Sequence, residues 1–196
     1  MHDLLAAMSD HFAGGGPVML PLAAASGLMW WLAVRKFMEL TALKREEAPL
    51  ADCLKSDAGN GWQRAIVGGW LAGRTGNAKL DRRLLERLRH EQSRRAGSRI
   101  ASVFVLASLA PLLGLLGTVS GMIDTFDAIT RFGTGNARAM ASGISAALIS
   151  TQAGLVVAVP GLLAGNMLRR RAERLRGRIK RFCLQLPRGT ARREAA

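Results

Sequence analysis

The sequence predicts an all-α membrane protein with three transmembrane helices, its N-terminus outside, its C-terminus inside, and long cytoplasmic helical extensions. Three observations predict it. Two runs carry no charge, 24 residues from Ile100 to Ile123 and 29 from Met140 to Leu168; at about 1.5 Å per helical residue each exceeds the ~30 Å hydrocarbon core of a bilayer. A third apolar stretch, VMLPLAAASGLMWWLAV, lies between Asp10 and Arg35. The basic residues are partitioned: fifteen Lys/Arg in 35–99, eleven from Arg169 onward, two (Arg131, Arg138) between the last two runs, and none in 1–34. That is the positive-inside pattern for an odd number of spans. Buried helices of a soluble bundle usually keep a polar stripe, which disfavours that alternative.

In chain order, residues 1–16 place Leu4, Leu5, Met8 and Phe12 at helical spacing, which predicts a short helix lying on the outer membrane surface. No basic region or cleavage pattern accompanies it, so a signal peptide is not expected. Residues 17–40 form the first span, closed at the inner interface by Trp30 and Trp31 beside Arg35 and Lys36. Residues 41–99 form a cytoplasmic helical region. Pro49, Gly59 and Gly61 break a polar connector, WQRAIVGGWLAGR reads as a short helix, and LDRRLLERLRHEQSRRAGS sets Leu80, Leu84, Leu85 and Leu88 on one side. Glu91 and Arg95 make a favourable i,i+4 pair in that helix. Only Gly97 interrupts it, so it is expected to run directly into the second span, 100–128. Residues 129–139 form the outer loop, 140–168 the third span, and 169–196 a basic cytoplasmic tail that continues as helix.

A formal charge of +14 suggests nucleic acid. The cations flank membrane helices, however, where anionic lipids at the cytoplasmic face are the natural partner, and no nucleic acid is expected. Cys53 and Cys183 both fall in cytoplasmic segments and are expected as reduced thiols. His2, His11 and His90 are scattered, and no Cys/His/Asp group has metal spacing. GTGNAR at 133–138 lacks the phosphate-loop lysine and reads as an outer turn. No cofactor, metal site or catalytic constellation is expected, which makes the chain a non-enzyme.

The last two spans carry stripes of small residues. In the third, Gly143, Ala147, Thr151, Gly154, Ala158, Gly161 and Gly165 recur at spacings of three and four; in the second, Ala107, Ala110, Gly114, Gly117 and Gly121 do the same, with Pro111, Thr118 and Thr125 beside them. Such stripes let helix backbones approach closely inside a membrane. Two long ones suggest contact with further helices, from neighbouring copies or a partner. Ser145, Ser150, Thr151 and Gln152 put polar groups at membrane depth, with Thr118 matching them in the second span. Ser150 can satisfy itself on its own helix backbone. Gln152 and Thr151 are read as lining a cavity or touching another subunit.

The runs LAPLLGLLGTVSGMIDTFDAI and GTGNARAMASGISAALISTQAGLVVAVPGLLAGNMLRRR resemble the MotA/TolQ/ExbB proton-channel family, and within it the ExbB-type subunits of TonB energising systems. The likeness covers about residues 100–171. It implies a homopentameric ring in the bacterial inner (cytoplasmic) membrane, a multi-pass subunit whose second and third helices line a pore holding a single-span ExbD-like partner. Proton flow would then drive a TonB-like protein that does work at the outer membrane. The family's pore threonines match Thr118 and Thr151, with Pro111, Ser145 and Gln152 as further pore or partner contacts. One position departs: where many relatives have Glu in a segment like GIAEAL, this chain has GISAAL, with Ala146 at the acidic position. The missing acid would then come from the partner's intramembrane Asp. A TolQ-like role in envelope integrity, or a non-conducting scaffold, are the alternatives.

Overall fold

The computed structural model describes residues 14–45, 47–49, 52–53, 61–133 and 136–194. The expected surface helix at 4–12 lies outside them, as do parts of the connector and Thr134–Gly135 of the outer turn. Among the described residues five helices follow in order: α1 (Met19–Arg45), α2 (Gly61–Gly73), α3 (Ala78–Gly97), α4 (Ile100–Phe132) and α5 (Ala137–Glu194). No strand occurs among the described residues.

The long apolar stretches of α4 and α5 are sufficient to cross a bilayer. In α1 the uncharged part within the helix, Met19–Val34, is 16 residues, about 24 Å of axis. The outer turn has clear local causes. Gly133 takes φ 68°, the left-handed conformation that ends many helices, and its N–H donates to Ile129 O at 2.8 Å. Asn136 then caps α5, its side-chain oxygen accepting from the Ala139 N–H at 3.1 Å.

The expectation that α3 would continue into α4 is corrected. The helix stops at Gly97, and α4 begins at Ile100 after Arg99 adopts φ 66°. The Arg95 carbonyl accounts for the break. It accepts from the Ser98 N–H (3.3 Å), the Ser98 hydroxyl (2.9 Å) and the Lys36 ammonium (3.1 Å). With its lone pairs taken, it leaves no place for the helical N–H of Arg99. Lys36, placed by sequence at the interface, is only 1% exposed and also pairs with Glu39 at 2.9 Å.

The chain divides into two compact units. One holds α1 to Ala33, α4 from Ala101 and α5 to Gly165. The other holds α1 from Val34, α2, α3 and α5 from Asn166. In the second unit α2 packs on α3 through glycines: a Cβ on Gly69 would meet Leu88 Cδ2 at 2.7 Å, and one on Gly73 would meet Leu84 Cδ2 at 3.0 Å. Leu84, Leu85 and Leu88 thus form the packed side predicted for α3, while Leu80 is 49% exposed. Asn77 caps α3, accepting from the Lys79 N–H at 3.0 Å.

From α5, Ala172, Leu175, Ile179, Phe182 and Leu186 are buried at three- and four-residue intervals, with Cys183 buried beside Phe182 in sequence. Phe182 meets Trp62 edge-on, with ring centroids 5.2 Å apart. Gln63, 2% exposed, clasps the backbone of Ala48 from both sides, donating to its carbonyl at 2.8 Å and accepting from its N–H at 3.1 Å. Beside this clasp Glu47 pairs with Arg178 at 2.8 Å.

Cys53 and Cys183 are free thiols, but both are buried. Burial pushes both above the usual thiol range, Cys183 to about 11. The thiolate is the reactive form, and at pH 8 Cys183 would hold it in only about one molecule in a thousand. Neither thiol is therefore a useful natural probe of sidedness. In the folded protein at pH 8 both should resist maleimide and react fully after denaturation in detergent; labelling of the native protein at the rate of a free thiol would contradict this packing.

Candidate functional site

In the first unit α4 and α5 run antiparallel, and their small-residue stripes face each other. A Cβ on Gly121 would lie 2.6 Å from Gly143 O and 2.9 Å from Ala147 N. One on Gly114 would lie 3.0 Å from Ser150 O and 3.2 Å from Thr151 Cα, and one on Gly154 only 2.8 Å from Ala110 O. Further along, a Cβ on Gly161 would meet the Met29 side chain of α1 and lie 3.1 Å from Ala107 Cβ, and one on Gly165 would lie 3.1 Å from the Phe104 ring. At the other end Gly143 accommodates Thr125, whose hydroxyl donates to Gly121 O at 2.8 Å. Ala147 and Ala158 are buried in the same seam. The register is constant: Gly121 opposite Ala147, Gly114 opposite Gly154, Ala107 opposite Gly161.

The two stripes pack on each other, so that the glycines close the hairpin within one chain. Large side chains instead point outward: Leu112, Leu115, Ile123, Leu148, Val156 and Leu163 are all at least half exposed. Small residues inside and branched apolar residues outside suit a helix pair surrounded by hydrocarbon.

The same register sets Thr118 level with Ser150 and Thr151. On the hairpin's one flank, Met19 and Leu22 of α1 pack with Ala110, Leu113, Ala153, Val157 and Ala158. At about 100° per residue, Thr118 lies about 140° around α4 from Leu113, and Thr151 about 160° around α5 from Ala153. Both threonines, with Pro111, therefore occupy the flank that α1 leaves free. The other candidates go elsewhere. Ala146, seven residues before Ala153, falls on the α1 flank. Ser145 and Gln152, also seven apart, are exposed on the side of α5 turned away from α4.

The hydroxyls are not idle donors. Thr118 donates to Leu115 O at 2.7 Å and Thr151 to Ala147 O at 3.1 Å. A hydroxyl engaged in this way still presents lone pairs. The site therefore offers paired acceptors at one level. Ser150 is bonded to its own helix as its position suggested, through Ala147 O at 2.9 Å, but it is also fully buried against Gly117. Its size matters, which its polarity alone did not reveal. No titratable side chain lies in the uncharged parts of α4 and α5. Among the described residues no group of three metal-ligating side chains forms.

The chain is 29% identical over 175 residues to the biopolymer transport protein ExbB of Salmonella typhimurium, covering 78% of this chain and 72% of that protein. It is likewise 29% identical over 176 residues to ExbB of Pseudomonas putida, covering 78% of this chain but only about half of that longer protein, 53%. The Tol-Pal system protein TolQ of Pseudomonas aeruginosa is 36% identical over 77 residues, 39% of this chain and 33% of TolQ. The model of the MotA/TolQ/ExbB proton channel family matches residues 62–181, which takes in α2, α3, α4 and most of α5. With more than half its length matched and the two-threonine hairpin inside the match, the chain belongs to the MotA/TolQ/ExbB proton channel family.

Proposed function

We propose that the chain is a non-enzymatic inner-membrane subunit that, with a single-span ExbD-like partner, couples the proton motive force to TonB-dependent transport across the outer membrane. In this reading α1, α4 and α5 span the membrane with the N-terminus outside, and a ring of copies, five by family resemblance, turns the free flanks of their hairpins toward a central pore. One observation carries the reading: Thr118 and Thr151 lie level with each other on the flank α1 does not cover.

The chemistry follows from what the hairpin lacks. Conducting protons through hydrocarbon needs a titratable group or ordered water, and the apolar helices supply neither acid nor base. The acid enters with the partner. A protonated carboxyl has an O–H to donate, and the lone pairs of the two threonine hydroxyls are suited to receive it. Ala146, turned toward α1, stands apart from this exchange.

Replacing both threonines with Val keeps their shape and removes the acceptors. Because each hydroxyl also bonds its own helix, the ring should still assemble. A polar group left without its partner costs about 1–3 kcal/mol. Uptake dependent on the proton motive force should therefore fall on the order of ten- to a hundredfold, given about 1.4 kcal/mol per factor of ten. The measurement is uptake in cells where this chain is the sole subunit of its kind, with the assembled complex followed in parallel. Normal uptake by the double variant would remove the pore role and favour a scaffold. The similarity to TolQ supports a second partner set, and co-purification of an ExbD-like rather than a TolR-like protein separates the two.

A further inference from the structure

In the second unit a recess of about 300 Å³ opens between α1 and α5, lined by Leu40, Thr41, Arg171, Arg174, Leu175 and Arg178. Its composition is unbalanced. The neighbouring carboxylates are each already engaged: Glu39 with Lys36 at 2.9 Å, Glu47 with Arg178 at 2.8 Å, and Glu173 with Arg169 at 3.1 Å. Among the described residues Arg171 and Arg174 have no carboxylate. Arg171 is nonetheless held in place, with its guanidinium 4.0 Å from the Phe37 ring centroid and one N–H donated to the Thr41 hydroxyl at 3.2 Å. Leu40 and Leu175, both buried, supply an apolar wall.

Position along α5 says which anion this suits. The last uncharged residue is Leu168, so Arg171 and Arg174 follow the hydrocarbon-compatible run by roughly 4.5 and 9 Å of helix axis. The headgroup layer on each side of a bilayer is about 5–7 Å deep, so Arg171 stands within it and Arg174, just beyond, shares the same recess with a side chain long enough to reach it. A positioned guanidinium matches a phosphodiester in geometry as well as charge. Basic recesses between helices on the cytoplasmic side are suited to lipid headgroups, with an acyl chain continuing along the apolar wall.

We propose that this recess binds the phosphate of an anionic phospholipid of the inner leaflet, with Arg171 and Arg174 as its cationic partners. The assignment rests on the membrane reading above and adds a specific lipid site to it. Phosphate in solution shares the charge but has no acyl chain to place against Leu40 and Leu175, so a lipid and the free ion are distinguishable.

The test uses the full chain extracted from membranes in detergent and titrated with phosphatidylglycerol, phosphatidylcholine or inorganic phosphate, with bound species counted by native mass spectrometry. Phosphatidylglycerol should bind in preference to phosphatidylcholine. Arg171→Gln and Arg174→Gln should each lower its affinity about fivefold, the equivalent of ~1 kcal/mol per cation. Arg171→Lys with Arg174→Lys should retain most of it, and Arg82→Gln, at an exposed side chain on α3, should change nothing. Equal binding of the two lipids, an Arg171→Gln/Arg174→Gln double variant that binds like the parent, or binding of phosphate as tight as that of the lipid would each overturn the proposal. Failure of the membrane reading would show separately, as protein recovered from the soluble fraction without detergent.

Discussion

Gly121→Leu should prevent the α4–α5 hairpin from closing, and even Gly121→Ala should be costly. The first atom of any side chain at Gly121 would meet the carbonyl of Gly143 at 2.6 Å and the backbone nitrogen of Ala147 at 2.9 Å. Backbone cannot rotate aside as a side chain can, so the helices must separate along the seam and lose packing on either side. Overpacking of this kind costs about 1–3 kcal/mol per added methyl-sized group, more when nothing can yield. Gly117 provides the contrast. A Cβ there runs into the Ser150 side chain, whereas the nearest backbone atom, Ser150 Cα, is 3.8 Å away. Gly117→Ala should therefore destabilise the protein and Ser150→Gly should relieve it, while no side-chain change opposite Gly121 should rescue Gly121→Ala. Thermal midpoints in detergent, with yield of membrane-inserted protein, read both series. Normal folding of Gly121→Leu would disprove the intrachain seam and return the glycines to contacts between copies.

Gln63→Leu should be the most damaging single change in the second unit among side chains that carry no charge. It removes both hydrogen bonds to Ala48, leaving its N–H against an apolar side chain and its carbonyl with only the weak thiol donor of Cys53. An unsatisfied buried polar group costs about 1–3 kcal/mol, so a loss of about 2–4 kcal/mol is expected. Gln63→Glu separates shape from bonding, since it preserves the outline but places a carboxylate oxygen where an N–H donated to the Ala48 carbonyl. That variant should also be destabilised. The segment it holds includes Glu47, paired with Arg178, and the Cys53 thiol approaches Ala48 O at 3.8 Å. Faster alkylation of Cys53 in both variants, with Cys183 still protected, would report local release; unchanged melting and labelling would show that the clasp is dispensable.

The two apolar helices were legible in the sequence because absence of charge over 24 and 29 residues leaves few other physical options. The stripes were legible as faces, but spacing states which residues share a side and not what that side meets. Only the register of Gly121 on Gly143 and Gly154 on Ala110 shows that the two stripes consume each other. The end of α3 is only partly local in cause: Ser98 supplies two of the donors on the Arg95 carbonyl, but Lys36, 59 residues away in sequence, supplies the third. Gln63 looked like an ordinary polar residue of a short helix, with no pattern to mark its clasp on Ala48. Arg171 and Arg174 belong in sequence to a basic tail facing anionic lipids, with nothing to single them out from its other cations. The available signal was the scarcity of acids beside them, with Glu173 alone between Arg169 and Lys180.

The uncharged interior also bears on energy conversion. An electric field does work only on charge, about 2.3 kcal/mol per elementary charge per 100 mV. Between Ile100 and Ile123, and again between Met140 and Leu168, the chain offers the field no formal charge to move. The backbone dipoles of these helices point in opposite directions across the hairpin, so they largely cancel. These two helices are in that sense an electrical insulator: a change in membrane voltage exerts no appreciable force on their uncharged lengths, and in the ring proposed above the voltage would act only through a charge that another molecule brings between them.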